Sequence, residues 1–220
     1  MQGSGVHGGK CSLGGRIRRD SGMGLVASVR GAVREVFEIS AVFVAAGVGF
    51  TALSIAFSEA SFKIGTFRPF SAIPPHLATL AAVGLMIGLV ASLFSGRLSL
   101  KLVLLSVTMI LLFDLDHAGA AFGIPQPIRP AHSLLFLAIV IAGITVVLRK
   151  PLGTRTLIIA DFLGHVGTDS GVFPILYPFS LHYFNFGSAY PWLLGGAFFF
   201  AALAGLLTRR QPSLLKPVRS

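Results

Sequence analysis

Residues 76–94 read HLATLAAVGLMIGLVASLF, and after the opening His76 no Asp, Glu, Lys or Arg interrupts them. A charge-free run of about 18 residues is the length that crosses a bilayer as a helix. A helix apolar on every side has no solvent-facing stripe, so its surroundings must be lipid or the middle of a bundle. Further apolar runs lie at about Ile39–Phe57, Leu98–Phe113, Ser133–Leu148, Thr156–Val166 and Tyr190–Leu207, the third run of the chain carrying Lys101 and the fifth Asp161.

The whole chain agrees with this reading. Hydrophobic residues make up 54% and charged residues 12% of the sequence, and the mean hydropathy is +0.81, whereas an ordinary soluble domain carries about 25% charge. The pattern predicts an all-α, polytopic transmembrane helical bundle of about six membrane segments. The third, fourth and fifth runs fall short of about 20 residues, which predicts short, tilted or re-entrant helices shielded by protein. One helical domain is expected over residues 37–208. Residues 1–36 are read as a basic, disordered N-terminal region and residues 209–220 as a basic C-terminal tail. The first run lies too far in and is too long for a cleaved signal peptide, so it reads as a signal anchor.

The net charge of +10 does not point to nucleic acid, because the basic residues flank apolar runs instead of forming one dense face. The expected partner is the lipid bilayer. With alternate loops assigned to opposite sides, Lys63, Arg68 and Arg129 are the only three of the 18 Lys and Arg residues on one side. The positive-inside rule then places both termini in the cytoplasm. The single cysteine, Cys11, excludes an intrachain disulfide and offers no thiolate metal site.

Polar residues that played no part in this assignment converge on the opposite side. His76 opens the second segment, Asp114, Asp116 and His117 close the third, His132 opens the fourth, and His165 and Asp169 close the fifth. Ionisable groups at membrane depth are costly unless paired or bound to a cation, which makes such a cluster a functional candidate. Asp-x-Asp-His offers oxygen and imidazole ligands suited to Zn²⁺, Mn²⁺ or Fe²⁺. Ser133 or His132 can instead cap the helix that follows. Asp161, His165 and Asp169 are spaced i, i+4, i+8, one helical face on which a carboxylate can orient the imidazole. Asp169 lies nearer the water and is expected to face solvent, with Asp161 deeper. Residues 171–180 contain Pro174 and Pro178 and should form an interfacial loop. Their aromatics, with Tyr183, Phe184, Phe186, Tyr190 and Trp192, read as an interfacial belt.

These motifs resemble the YdjM-like family of membrane-bound metal-dependent hydrolases of prokaryotic inner membranes. The family's elements are matched in order by His76-Leu77, Asp114-Leu115-Asp116-His117, Ala131-His132-Ser133-Leu134-Leu135, and Thr168-x-x-Gly171 before Ile175-Leu176-Tyr177-Pro178. The likeness covers roughly residues 76–180. The His and Thr that precede the family's His-Ser pair are absent here, and Arg129 is displaced by one position. Alignment on Thr168 and Gly171 exchanges the order of Asp161 and His165, whereas alignment on His165-x-x-x-Asp169 keeps the ligand types. The resemblance implies a divalent metal ion, zinc or manganese, held among His76, Asp114, Asp116, His117, His132, Asp161 and His165. Asp169 or Asp161 would serve as base or orienter, and Arg129 would neutralise an anionic leaving group.

The expected function is hydrolysis of an ester or phosphoester in a lipid-like or envelope substrate. The alternatives are a cation- or proton-translocating protein, a metal-free lipid phosphatase suggested by His165-x-x-x-Asp169 and Arg129-Pro130, and a scaffold that has lost its chemistry.

Overall fold

The computed structural model describes residues 21–57, 73–115, 130–169, 173–177, 179 and 184–210. Within them the chain is all-helical, with six α-helices: α1 (Ser21–Phe57), α2 (Ile73–Phe94), α3 (Leu100–Leu112), α4 (Leu134–Val146), α5 (Leu152–Thr168) and α6 (Tyr190–Arg209). Each overlaps one of the six apolar runs. Short 3₁₀ turns at Pro130–His132 and Gly187–Ala189 precede α4 and α6. Two helical stretches, Pro75–Phe94 and Gly187–Arg209, are long and apolar enough to cross a membrane.

Local chemistry sets several ends. Ser99 caps α3 by accepting from the Leu102 amide, and Ser133 caps α4 by accepting from the Phe136 amide at 3.1 Å. Gly96, at φ 83°, turns the chain between α2 and α3, a left-handed conformation that favours glycine.

The first helix starts earlier than its sequence suggests. Residues 1–36 read as disordered, yet α1 is helical from Ser21. Tertiary ion pairs tie α1 to the bundle just ahead of its apolar run: Glu35 meets Lys101 at 2.6 Å and Glu38 meets Lys150 at 2.7 Å, while Arg34 pairs with Glu38 within the helix at 2.9 Å. Glu38 precedes the apolar run. Its hydrogen bond from Lys150, and then that from Arg34, hold its carboxyl below the ordinary range.

The short fifth run is the buried centre of the bundle. α5 packs on α6, α2, α3 and α4, and Asp161 and His165 are fully buried within it. Close approach of α2 to α3 is permitted by Gly84 and Gly88. A Cβ at Gly88 would come within 2.6 Å of the Val103 backbone, and one at Gly84 within 2.9 Å of the Val107 backbone. Small residues at such crossings let helix backbones meet without a hydrophobic drive between them.

The outer surface is strongly apolar. Trp192 is 82% exposed and Leu93 75%, with Val48, Val146, Val147 and Phe199 also exposed. Trp192 fits the expected aromatic belt, but Phe173 and Tyr177 do not: both are buried. Tyr177 stacks edge-on against Phe50.

Candidate metal centre

Three elements bring one carboxylate and two imidazoles together. Asp114 lies just beyond the end of α3, where the Phe113 and Asp114 amides still bond back to Met109 and Leu111. His132 ends the 3₁₀ turn that leads into α4, and His165 lies in the last turn of α5. One ligand atom from each falls within 4.8 Å of the others, and His132 and His165 are fully buried. The two Nε2 atoms are 2.8 Å apart.

Two further residues stand beside this trio. His76, in the first turns of α2, places Nε2 3.4 Å from Asp114 Oδ1. That nitrogen is buried and makes no hydrogen bond among the described residues. Asp169 caps the end of α5 and places Oδ2 3.9 Å from His132 Nε2.

Aromatic rings hold the imidazoles in place. Phe173 stacks on His132 at 5.1 Å with an interplanar angle of 18°, and Phe113 lies against His165 at 5.9 Å. Phe173 is positioned by two backbone hydrogen bonds with Phe184, at 3.0 and 2.9 Å. The Leu134 amide donates to the Ile175 carbonyl at 2.9 Å, tying the same segment to the start of α4.

The structure therefore brings together His76, Asp114, His132, His165 and Asp169 from the residues singled out by sequence. Asp161 is not among them. Its Oδ1 accepts a hydrogen bond from the Ser106 hydroxyl of α3, and its Oδ2 is buried with no hydrogen-bond partner among the described residues. Asp161 is deep, as expected, but Asp169 does not face solvent: it is 1% exposed. The reason is the backbone, which leaves the helix at Asp169 (φ −83°, ψ 107°) and departs from the i, i+4, i+8 stripe. Asp116, His117 and Arg129 lie outside the described residues.

Sequence reasoning missed Ser106 and Phe173. Ser106 is one of three hydroxyl residues in the third apolar run, with Ser99 and Thr108, and nothing local marks it as the partner of Asp161. Nothing local marks Phe173, whose position depends on its bridge to Phe184.

The donor set fits a divalent cation. One carboxylate oxygen with two imidazole nitrogens is a hard-to-borderline combination, and three protein ligands with a position left over is the pattern of catalytic sites. No family model, no curated protein and no solved structure matches this chain.

Proposed function

We propose that this chain is a membrane-bound, metal-dependent hydrolase whose divalent cation is held by Asp114, His132 and His165. The observation that carries this reading is the convergence of those three ligand atoms, from three separate elements, within 4.8 Å. A buried carboxylate and two buried imidazoles brought so close demand charge compensation. Zinc or manganese suits the donors. The likeness to the YdjM-like hydrolases supports the same reading.

Asp114, His132 and His165 would hold the cation, which when bound would supply Lewis-acid polarisation of an ester and a lowered pKa for water. The chain's own residues do the rest. His76 stands against Asp114 and holds that carboxylate in place. Asp169, beside His132, accepts a proton from the attacking water or orients the imidazole. Phe173 and Phe113 keep both rings dry and aligned. The resemblance adds Asp116 and His117 as further candidate ligands and Arg129 as the group that would neutralise an anionic leaving group.

The substrate is a lipid-like or envelope ester or phosphoester. Support comes from the apolar exterior and from the end of the bundle at which the site lies. Asp114 follows the C-terminal end of α3, whereas Lys101 and its partner Glu35 lie at the other. With six membrane segments and both termini cytoplasmic, the site faces outward from a prokaryotic inner membrane.

Metal analysis of detergent-purified protein tests the reading, with hydrolysis of a chromogenic phosphoester as second readout. Wild type should carry about one divalent cation per site, and Asp114→Ala or His165→Ala should lose it together with turnover. A metal content unchanged by both substitutions ends the proposal.

One observation favours a second reading, passage of a cation or proton. Asp161 is fully buried and one of its oxygens has no hydrogen-bond partner among the described residues, a feature of ion and proton routes. Flux into proteoliposomes that Asp161→Asn abolishes, with hydrolysis absent, would select it.

A further inference from the structure

The α1 helix is 37 residues long, about 55 Å, and its apolar run, Ile39–Phe57, fills only the last part. Ahead of that run, Val26, Val29, Arg30, Val33, Arg34 and Phe37 line a shallow groove on the outward face. Phe37 is 74% exposed and Val26 67%, as apolar as the rest of the outer surface although they precede the apolar run.

Charge decides what such a groove accepts. The two acids of this stretch point to the bundle, Glu35 to Lys101 and Glu38 to Lys150. Arg34 shares Glu38. Arg30 is exposed and meets no carboxylate among the described residues. The outward face is thus an apolar trough with an uncompensated guanidinium on it.

We propose that this groove binds one anionic phospholipid, its phosphate on Arg30 and Arg34 and an acyl chain running past Val33 and Phe37 toward the apolar run that starts at Ile39. The proposal rests on the membrane reading above. Guanidinium groups pair with phosphate through parallel N–H donors, and basic residues next to an apolar run attract anionic headgroups. A second copy in the groove would set Arg30 and Arg34 against their equivalents across a two-fold axis. The chain's own residues 1–20 carry Lys10, Arg16, Arg18 and Arg19 against the single acid Asp20, the same net sign as Arg30 and Arg34.

The test exposes detergent-purified, full-length protein to equimolar phosphatidylglycerol and phosphatidylcholine and counts retained lipid by native mass spectrometry. Wild type should keep phosphatidylglycerol in preference. Arg30→Gln should keep about fivefold less of it, the effect of one basic residue at an anionic surface, while Arg30→Lys should keep it. Equal retention of both lipids by wild type, or no loss in Arg30→Gln, overturns the proposal. Cross-linking of Val33→Cys copies through this face also overturns it, because a second copy then fills the groove. Metal content on the same samples should not change with Arg30. A protein that stays dispersed without detergent breaks the membrane reading itself, an outcome distinct from loss of lipid selectivity alone.

Discussion

His132 Nε2 and His165 Nε2 lie 2.8 Å apart in the buried end of the bundle, a distance at which one ring donates its proton to the other. Tetrahedral ligation with bonds of about 2.0–2.1 Å sets neighbouring ligand atoms roughly 3.3 Å apart. A cation that takes both nitrogens must therefore open the pair by about 0.5 Å and displace the shared proton.

Cation binding to this pair should appear as stabilisation. At a free Zn²⁺ or Mn²⁺ concentration 100 times Kd, the gain is about 2.7 kcal/mol, read as a rise of roughly 5–11 °C in Tm in detergent. His165→Ala should abolish the shift. An equal shift in the variant would place the cation elsewhere.

Asp169 and Asp161 should separate cleanly. Asp169 stands 3.9 Å from His132 Nε2, so Asp169→Asn should lower metal affinity by about 10–100-fold. Asp161 is bonded to Ser106, so Asp161→Asn should leave affinity within about twofold, in the scale of groups outside the ligand set. Ser106→Ala should cost about 1–3 kcal/mol of stability by stranding a second carboxylate oxygen, with no effect on metal content. Titration of the variants with the metal decides between these outcomes, and the reverse order for the two aspartates would put Asp161 in the metal shell.

Gly88→Ala should weaken the α2–α3 crossing. Its added Cβ would meet the Val103 backbone at 2.6 Å, and backbone cannot swing aside as a side chain does. Overpacking of this kind costs about 1–3 kcal/mol. Thermal or denaturant unfolding in detergent reads it, with Gly49→Ala as control because a Cβ there meets nothing within 4 Å. Equal effects at the two positions would contradict the close crossing.

The ion pair at Glu38 should show an acid limit. Because Lys150 and Arg34 depress its carboxyl in the folded state, the contribution is fully present above the unfolded value near 4.5. It is lost as pH falls through the lower folded value. Wild type should exceed Glu38→Gln in Tm at neutral pH, and the gap should close towards pH 3, below the ordinary carboxylate range. A gap that widens on acidification would reverse the sign of the coupling.

Most of the helical architecture was legible from the sequence because its causes are local. Six apolar runs became six helices, since an unbroken apolar stretch without Pro in its interior satisfies its own backbone and leaves few alternatives. Ser133 could be read as a cap from its place before an apolar run, and the structure uses it so. Histidines and aspartates at segment ends marked His132, His165 and Asp114 as candidates, because placing such groups at the margin of apolar sequence is costly without a use. The tertiary structure decided the partners. Helical spacing gave Asp161, His165 and Asp169 one face, but Ser106 of a different helix took Asp161, and the break in helical backbone at Asp169 turned that residue to His132. The partners of Glu35 and Glu38 in α1 are likewise Lys101 and Lys150, residues far along the chain. Phe173 reached His132 only through its pairing with Phe184. Such contacts join positions whose separation along the chain carries no periodic signal, so only the packed fold can choose among partners of equal chemistry.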